Sequence, residues 1–295
     1  MTEIFGVPTQ ALFGQLLIGL INGSFYALLS LGLAVIFGLL NIINFTHGAQ
    51  YMMGAFVAWF LLNQAGLSYW WALVLAPLAV AVFGMIIERT MLKQLYKLDH
   101  LYGLLLTFGL ALIIHGLFRN QYGSSGMPYA IPAQLAGGQN LGFMFLPNYR
   151  AWVIVFSLVV CLSTWFVIEK TKLGSYLRAA TENPELVRAF GINVPRMITL
   201  TYGFGVGLAA LAGVMAAPIY SVNPLMGSDL IIVVFAVVVI GGMGSIMGSI
   251  VTGFGLGVIE GLTKVFYPEA SNTVIFIIMA IVLMFRPAGL FGTQK

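Results

Sequence analysis

Eight apolar runs, separated by short polar stretches, make up most of this chain. They occupy residues 11–40, 49–65, 69–87, 101–118, 151–168, 197–217, 230–262 and 272–285. A helix needs about 20 such residues to cross a hydrocarbon core ~30 Å thick. Only 7% of the 295 residues are charged and 60% are hydrophobic, whereas soluble domains carry about 25% charged residues. Lipid is therefore the solvent for most of the chain. The expected fold class is an all-α integral membrane protein, a polytopic helical bundle forming one transmembrane domain over residues 1–295. The runs 11–40 and 230–262 exceed one upright crossing. Each is tilted, broken or two crossings, which sets the expectation at eight to ten spans.

The basic residues orient the runs. Arg89, Lys93 and Lys97 form one cluster, and Lys170, Lys172, Arg178, Arg188 and Arg196 form another. Loops rich in Lys and Arg stay in the cytoplasm. Two runs separate the clusters, so both share a side, and 119–150 becomes an external loop. Its Gly, Pro, Ser and Asn (YGSSGMPYAIPAQLAGGQN) predict irregular structure. Arg286 and Lys295 place the C-terminus inside. The start, MTEIFGVPTQALFGQ, lacks a positive n-region, so the first run is expected to stay as a span. The net charge of +4 follows these topological positions and is no nucleic-acid signal. Cys161 is the only cysteine, which excludes an intramolecular disulfide and a cysteine metal cluster.

One loop, about 169–196, carries far more charge than lipid exclusion requires. Within it, Leu173, Tyr176, Leu177 and Ala180 recur at helical spacing. Asn183 then fits an N-cap, Pro184 the first helical position, and Glu185 the positive helix end. Leu186, Val187 and Phe190 form an apolar face, and Gly191 fits the position just past the helix. So short a helix is marginal in water and needs a surface to pack on. That surface is either the membrane and neighbouring loops or a groove in a cytoplasmic partner.

The string RAATENPELVRAFGINV resembles the coupling loop of ABC importer permeases, and specifically the branched-chain amino acid permeases of the LivH type. GLLNIINFTHGAQYMMGA and VVIGGMGSIMGSIVTG resemble the same branch, so the likeness spans most of the chain. Leu186 and Val187 stand where the broad family has two alanines. The resemblance implies a transport subunit rather than an enzyme. It implies a homologous second permease subunit, two cytoplasmic ATPase subunits that use ATP and magnesium, and a periplasmic or extracellular solute-binding protein. It further implies that Arg178, Asn183, Pro184, Glu185, Leu186, Val187, Arg188, Phe190 and Gly191 form the ATPase-coupling loop, in a bacterial inner membrane. The chain has no G-x-x-x-x-G-K-[ST] phosphate loop, so ATP hydrolysis by that route belongs to another chain.

Glycine is the other unusual feature, at 35 residues, with small-xxx-small pairs at Gly19/Gly23, Gly203/Gly207, Gly244/Gly248, Gly253/Gly257 and Gly257/Gly261. Such spacing lets helix backbones approach closely. Two stretches invite another reading: NIINFTHGAQ, with Asn41, Asn44, His47 and Gln50, and IGGMGS, with Gly241, Gly242 and Gly244. Non-helical backbone at membrane depth must be buried in protein or line a wet cavity, which makes these residues candidates for a translocation path. HGAQYMMGAFV and GGMGSIMGSIV also align with each other, which suggests an internal repeat with broken helices.

His47 is either a hydrogen-bonding group on the path or a structural histidine at a helix end. Glu260, four residues before Lys264, is either half of a helix-end ion pair or a proton site. The second option belongs to an alternative function, a secondary transporter driven by an ion or proton gradient. That alternative leaves the charged loop unexplained. No paired carboxylates or histidine metal set supports an embedded enzyme or a bound cofactor.

Overall fold

The apolar runs are helical in the computed structural model, which describes residues 3–4, 6–40, 43–96, 98–142 and 144–292. Asn41, Lys97 and Lys295 lie outside the described residues. After a two-residue hairpin, β1 (Glu3–Ile4) with β2 (Val7–Pro8), helix α1 runs unbroken over Thr9–Leu40. At 1.5 Å per residue it is about 48 Å long, so the first long run is one helix longer than an upright crossing needs. Its stretch 23–36 is buried throughout.

The remaining helices are α2 (Thr46–Asn63), α3 (Tyr69–Ile87), α4 (His100–Tyr122), α5 (Asn148–Lys170), α6 (Lys172–Glu182), α7 (Pro184–Ala189), α8 (Val194–Ala216), α9 (Met226–Gly241), α10 (Ile246–Phe266) and α11 (Val274–Phe285). Among the described residues, six helical segments are long and apolar enough to cross a membrane, and α9 and α11 are shorter apolar helices. The protein is thus a multi-pass helical membrane protein. The second long run is two helices, parted at 242–245. The stretch between α4 and α5 is irregular as expected, but it also holds an antiparallel hairpin of β3 (Gly138–Asn140) and β4 (Phe145–Pro147) that turn composition did not announce.

The chain divides into two compact units, Met1–Ser30 with Ile131–Leu162 and Val233–Lys295, and Leu31–Ala130 with Ser163–Ile232. In the first unit, α1 and α10 run antiparallel along a seam of small residues. A side chain at Gly253 would strike the Ala27 backbone, one at Gly257 the backbones of Gly19 and Gly23, and one at Gly261 those of Gln15 and Gly19. Four-residue spacing on both helices keeps these contacts on one face of each.

The end of α9 explains how a broken helix is tolerated here. Gly242 and Gly244 have φ of 102° and 83°, a region that disfavours residues with a Cβ. The carbonyls of Ile240 and Gly241, which helix termination would orphan, accept the backbone N–H groups of Leu290 and Phe291 at 2.8 and 3.1 Å. Ser245 restarts the helix, accepting from Gly248 N at 3.1 Å. Gly244 and Gly248 are therefore not a pair on one helix. Gly244 shapes the break, and Gly248 packs on the Gly241 backbone.

In the second unit α2, α3 and α8 pack together around Ile36, Val80, Tyr202, Val206 and Ala210. Gly54 lies against the Ala210 backbone and Gly213 against that of Tyr51. Gly203 and Gly207 face α3, at Met85 and Ala81. The α3 helix does not stop where the apolar run stops. It continues through a π-helical turn, Glu88–Leu92, to Lys93–Leu95. Asp229 lies inside the first turn of α9, where the helix dipole favours an acid.

Candidate functional site

The charged loop folds as its capping residues dictate. Asn183 ends α6 and caps α7, its Oδ1 accepting from Leu186 N at 3.0 Å. Pro184 occupies the first turn, Glu185 follows it, and Arg188 sits in the last. Gly191, with φ 81°, turns the chain out of the helix. Asn193 then caps α8, accepting from Arg196 N at 3.1 Å. Arg178 bonds Glu169 at 3.3 Å and the Ile168 carbonyl at 3.4 Å, tying α6 back to the end of α5.

The apolar residues of this loop divide in two. Val187 is buried with Ala180 and Val194, and Ile192, Met197 and Ile198 pack around them. Leu186 and Phe190 are 54% and 76% exposed. One side of α7 is therefore riveted to its own chain, while Leu186 on the helix and Phe190 at its end are turned outward. On α6 the expected stripe is displaced: Gly174, Leu177 and Ala180 are buried, while Leu173 and Tyr176 are exposed. Gly174 explains this, because a side chain there would meet the Ile168 carbonyl, so α6 lies down on that edge.

The NIINFTHGAQ stretch builds a buried polar network at the start of α2. Asn44 Oδ1 accepts from Thr46 N at 3.1 Å and from the Thr46 hydroxyl. Gln50 Nε2 donates to Thr46 Oγ1 at 3.2 Å, and Asn44 Nδ2 reaches Gln50 Oε1 at 3.5 Å. Thr107 of α4 receives Phe45 N at 3.2 Å and donates to Ile43 O at 3.1 Å, so the non-helical turn is satisfied from a neighbouring helix. The buried Tyr202 hydroxyl faces Gln50, Thr46 and Asn44 without closing a hydrogen bond of ordinary geometry. His47 is fully buried, its ring against Gly32 of α1. The structure thus groups Asn44, His47 and Gln50. Gly241, Gly242, Gly244 and Glu260 belong to the other unit, and Gly241 and Gly242 are packed in by backbone.

Glu260 is 5% exposed, yet three donors meet it. Tyr26 Oη donates at 2.6 Å, Asn22 Nδ2 at 3.2 Å and Lys264 Nζ at 2.5 Å. The i, i+4 pair with Lys264 is present as the spacing suggests, and the α1 donors are additions that no local pattern reveals.

Sequence reasoning missed a second buried acid. Glu88, inside the π turn, accepts from Tyr96 Oη at 2.5 Å and Thr199 Oγ1 at 2.6 Å. Burial, reinforced by this bond to Glu88, holds the Tyr96 phenol protonated far above its ordinary range. The available signal was an acid directly after an apolar run, hidden by the loop-like look of ERTMLKQLYKLD. Glu88 lines a cavity of about 630 Å³ between the end of α3 and the start of α8. Elsewhere His115 Nδ1 lies 2.7 Å from Pro224 O. Among the described residues no three His, Cys, Asp or Glu converge on a metal-sized site.

Residues 15–283 match the family described as branched-chain amino acid transport system, permease component. The chain is 29% identical to the high-affinity branched-chain amino acid transport system permease protein LivH of Escherichia coli, across 100% of this chain and 99% of that one. It is 31% identical to BraD, a permease protein of the same description from Pseudomonas aeruginosa, over 95% and 96% of the two chains. It is also 27% identical to Escherichia coli LivM, over 92% of this chain and 68% of that protein. No solved structure matches.

Proposed function

The chain belongs to the permease family of branched-chain amino acid transport systems, and from that premise we propose that it is the membrane-spanning subunit of an ATP-driven importer for branched-chain or closely related amino acids. The observation that carries the mechanism is α7. A helix of six residues is too short to persist alone in water. Here it is capped at Asn183, riveted through Val187, and left with Leu186 and Phe190 outward. That is the form of a peg for a groove in another protein. A cytoplasmic ATPase closing on ATP and magnesium pulls on this peg, and the Val187 contact passes the pull to α6 and α8.

The rest of the assembly follows from the same reading. A second, homologous permease completes the membrane core, and similarity to LivM, itself named a permease of such a system, supports a related chain in that place. A solute-binding protein outside delivers substrate, two ATPase subunits sit inside, and this chain binds no cofactor. The membrane is the bacterial inner membrane, with the C-terminus cytoplasmic. The path takes a zwitterion with an apolar side chain past the Asn44–Thr46–Gln50 amides and hydroxyls.

Reconstituted vesicles test this directly. Uptake of leucine should require the ATPases, the binding protein and ATP, and should ignore an imposed proton or sodium gradient. Uptake by this chain alone on an ion gradient would overturn the proposal.

A further inference from the structure

We propose that the cavity between the end of α3 and the start of α8 is a binding site for the phosphate headgroup of an anionic phospholipid. Arg89 and Lys93 from α3 and its continuation, Arg188 from α7 and Arg196 from α8 line it, against the single carboxylate of Glu88. None of these four basic residues has a carboxylate within ion-pairing distance among the described residues. Glu88 itself holds the Tyr96 and Thr199 hydroxyls. Four cations set against one carboxylate leave the cavity with excess positive charge, and an anion relieves their mutual repulsion.

The other wall identifies the anion as part of a lipid. Val82, Ile86 and Leu200 line the same cavity and are exposed on the apolar stretches of α3 and α8. The cavity therefore begins on a hydrocarbon-facing surface and ends in positive charge, at the level where two apolar helices give way to basic residues. A small hydrophilic anion would gain nothing from the first half. An acyl chain beside Val82, Ile86 and Leu200, with its phosphate at Arg89 and Arg196, uses both. Basic pockets between spans on the cytoplasmic side commonly hold such headgroups. The volume, about 630 Å³, is within the range of a small-molecule site. Because Arg188 lies on α7 and Arg89 on α3, a bound headgroup would brace the short helix against the end of a span. The binding claim itself stands apart from the transport reading, since it concerns this chain and its bilayer only.

The test is native mass spectrometry of the detergent-purified full chain, titrated with phosphatidylglycerol, phosphatidylcholine, diacylglycerol or inorganic phosphate. Phosphatidylglycerol should be retained in preference to the other three. Arg89→Gln with Arg196→Gln should weaken it roughly 30-fold, taking about five- to sixfold per basic contact near a membrane surface. The Arg89→Lys, Arg196→Lys pair should keep most of the affinity, and Lys170→Gln with Lys172→Gln, the same charge loss elsewhere, should leave it unchanged. Monodisperse elution of each variant guards against misfolding. Equal retention by wild type and the Gln pair would overturn the proposal. So would inorganic phosphate displacing the lipid at equal concentration, or lipid-independent burial of Arg89 and Arg196 under an added ATPase subunit.

Discussion

Glu260 separates a structural acid from a proton carrier, and replacing it tells which it is. Its carboxylate holds three donors, one from its own helix and two from α1: Lys264 at 2.5 Å, Tyr26 at 2.6 Å and Asn22 at 3.2 Å. Glu260→Gln keeps the shape and one acceptor, so Tyr26 stays bonded, and the loss is the difference between charged and neutral hydrogen bonds, about 1–2 kcal/mol. Glu260→Leu removes every acceptor. Breaking a buried pair costs about 3–5 kcal/mol when the partner is trapped. Lys264 is not trapped, with 30% of its side chain exposed, so its ammonium can turn to water. What is lost is chiefly the pair of bonds from Tyr26 and Asn22 to the carboxylate, which lowers the expected cost to about 2–4 kcal/mol. Lys264→Met should cost under about 1 kcal/mol, as for other partly exposed pairs. Reversible unfolding in mixed micelles gives these values, and ATP-driven uptake by the reconstituted assembly gives activity. The structural account expects uptake to fall in step with stability, least for Lys264→Met and most for Glu260→Leu. A Gln variant as stable as wild type, to within about 0.5 kcal/mol, but dead in transport would refute it and revive the proton-coupled alternative.

The outward face of α7 makes a second prediction. Leu186→Ser with Phe190→Ser, or charge reversal at Glu185 and Arg188, should weaken ATPase co-purification and coupled uptake, while capture of substrate by the binding protein is unchanged. Asn183→Ala should cost about 1 kcal/mol through the lost cap, read as faster hydrogen exchange in α7 and α6. On α10, Gly257→Ala should destabilise by about 1–3 kcal/mol or more, because the new methyl meets the Gly19 and Gly23 backbones. Gly255→Ala on the open side of the same helix should be harmless, and similar unfolding for both variants would remove the seam from the account. Tyr129, in the stretch between α4 and α5, has its phenol pushed by burial from 10.0 to about 12. Its neutral form is the folded one, so its contribution is complete below pH 10 and is lost as pH rises through about 12. A phenolate absorbance titration of Tyr129→Phe should lack only that late step.

Apolar runs, caps and breaks are local properties, and the elements they govern were legible from the sequence alone. Asn183, Pro184 and Gly191 mark α7 because a cap, a fixed φ and a positive φ are each set by one residue. The Gly-rich IGGMGS marks the α9–α10 break for the same reason. What composition does not encode is which distant group satisfies a polar atom. Leu290 and Phe291 close the open end of α9 from about 50 residues away, a distance over which no periodicity operates. Tyr26 reaches Glu260 across 234 positions and Thr199 reaches Glu88 across 111. Lipid offers an unpaired polar atom no water, so each such partner must come from protein. That requirement makes the unforeseen contacts as necessary as the foreseen helices. It also explains why Glu88 looked like a loop residue: an acid one position past an apolar run reads as the edge of lipid. Two hydroxyls from other elements let the helix carry it inside, with Arg89 of the same turn and Lys93 just after it lining the same cavity.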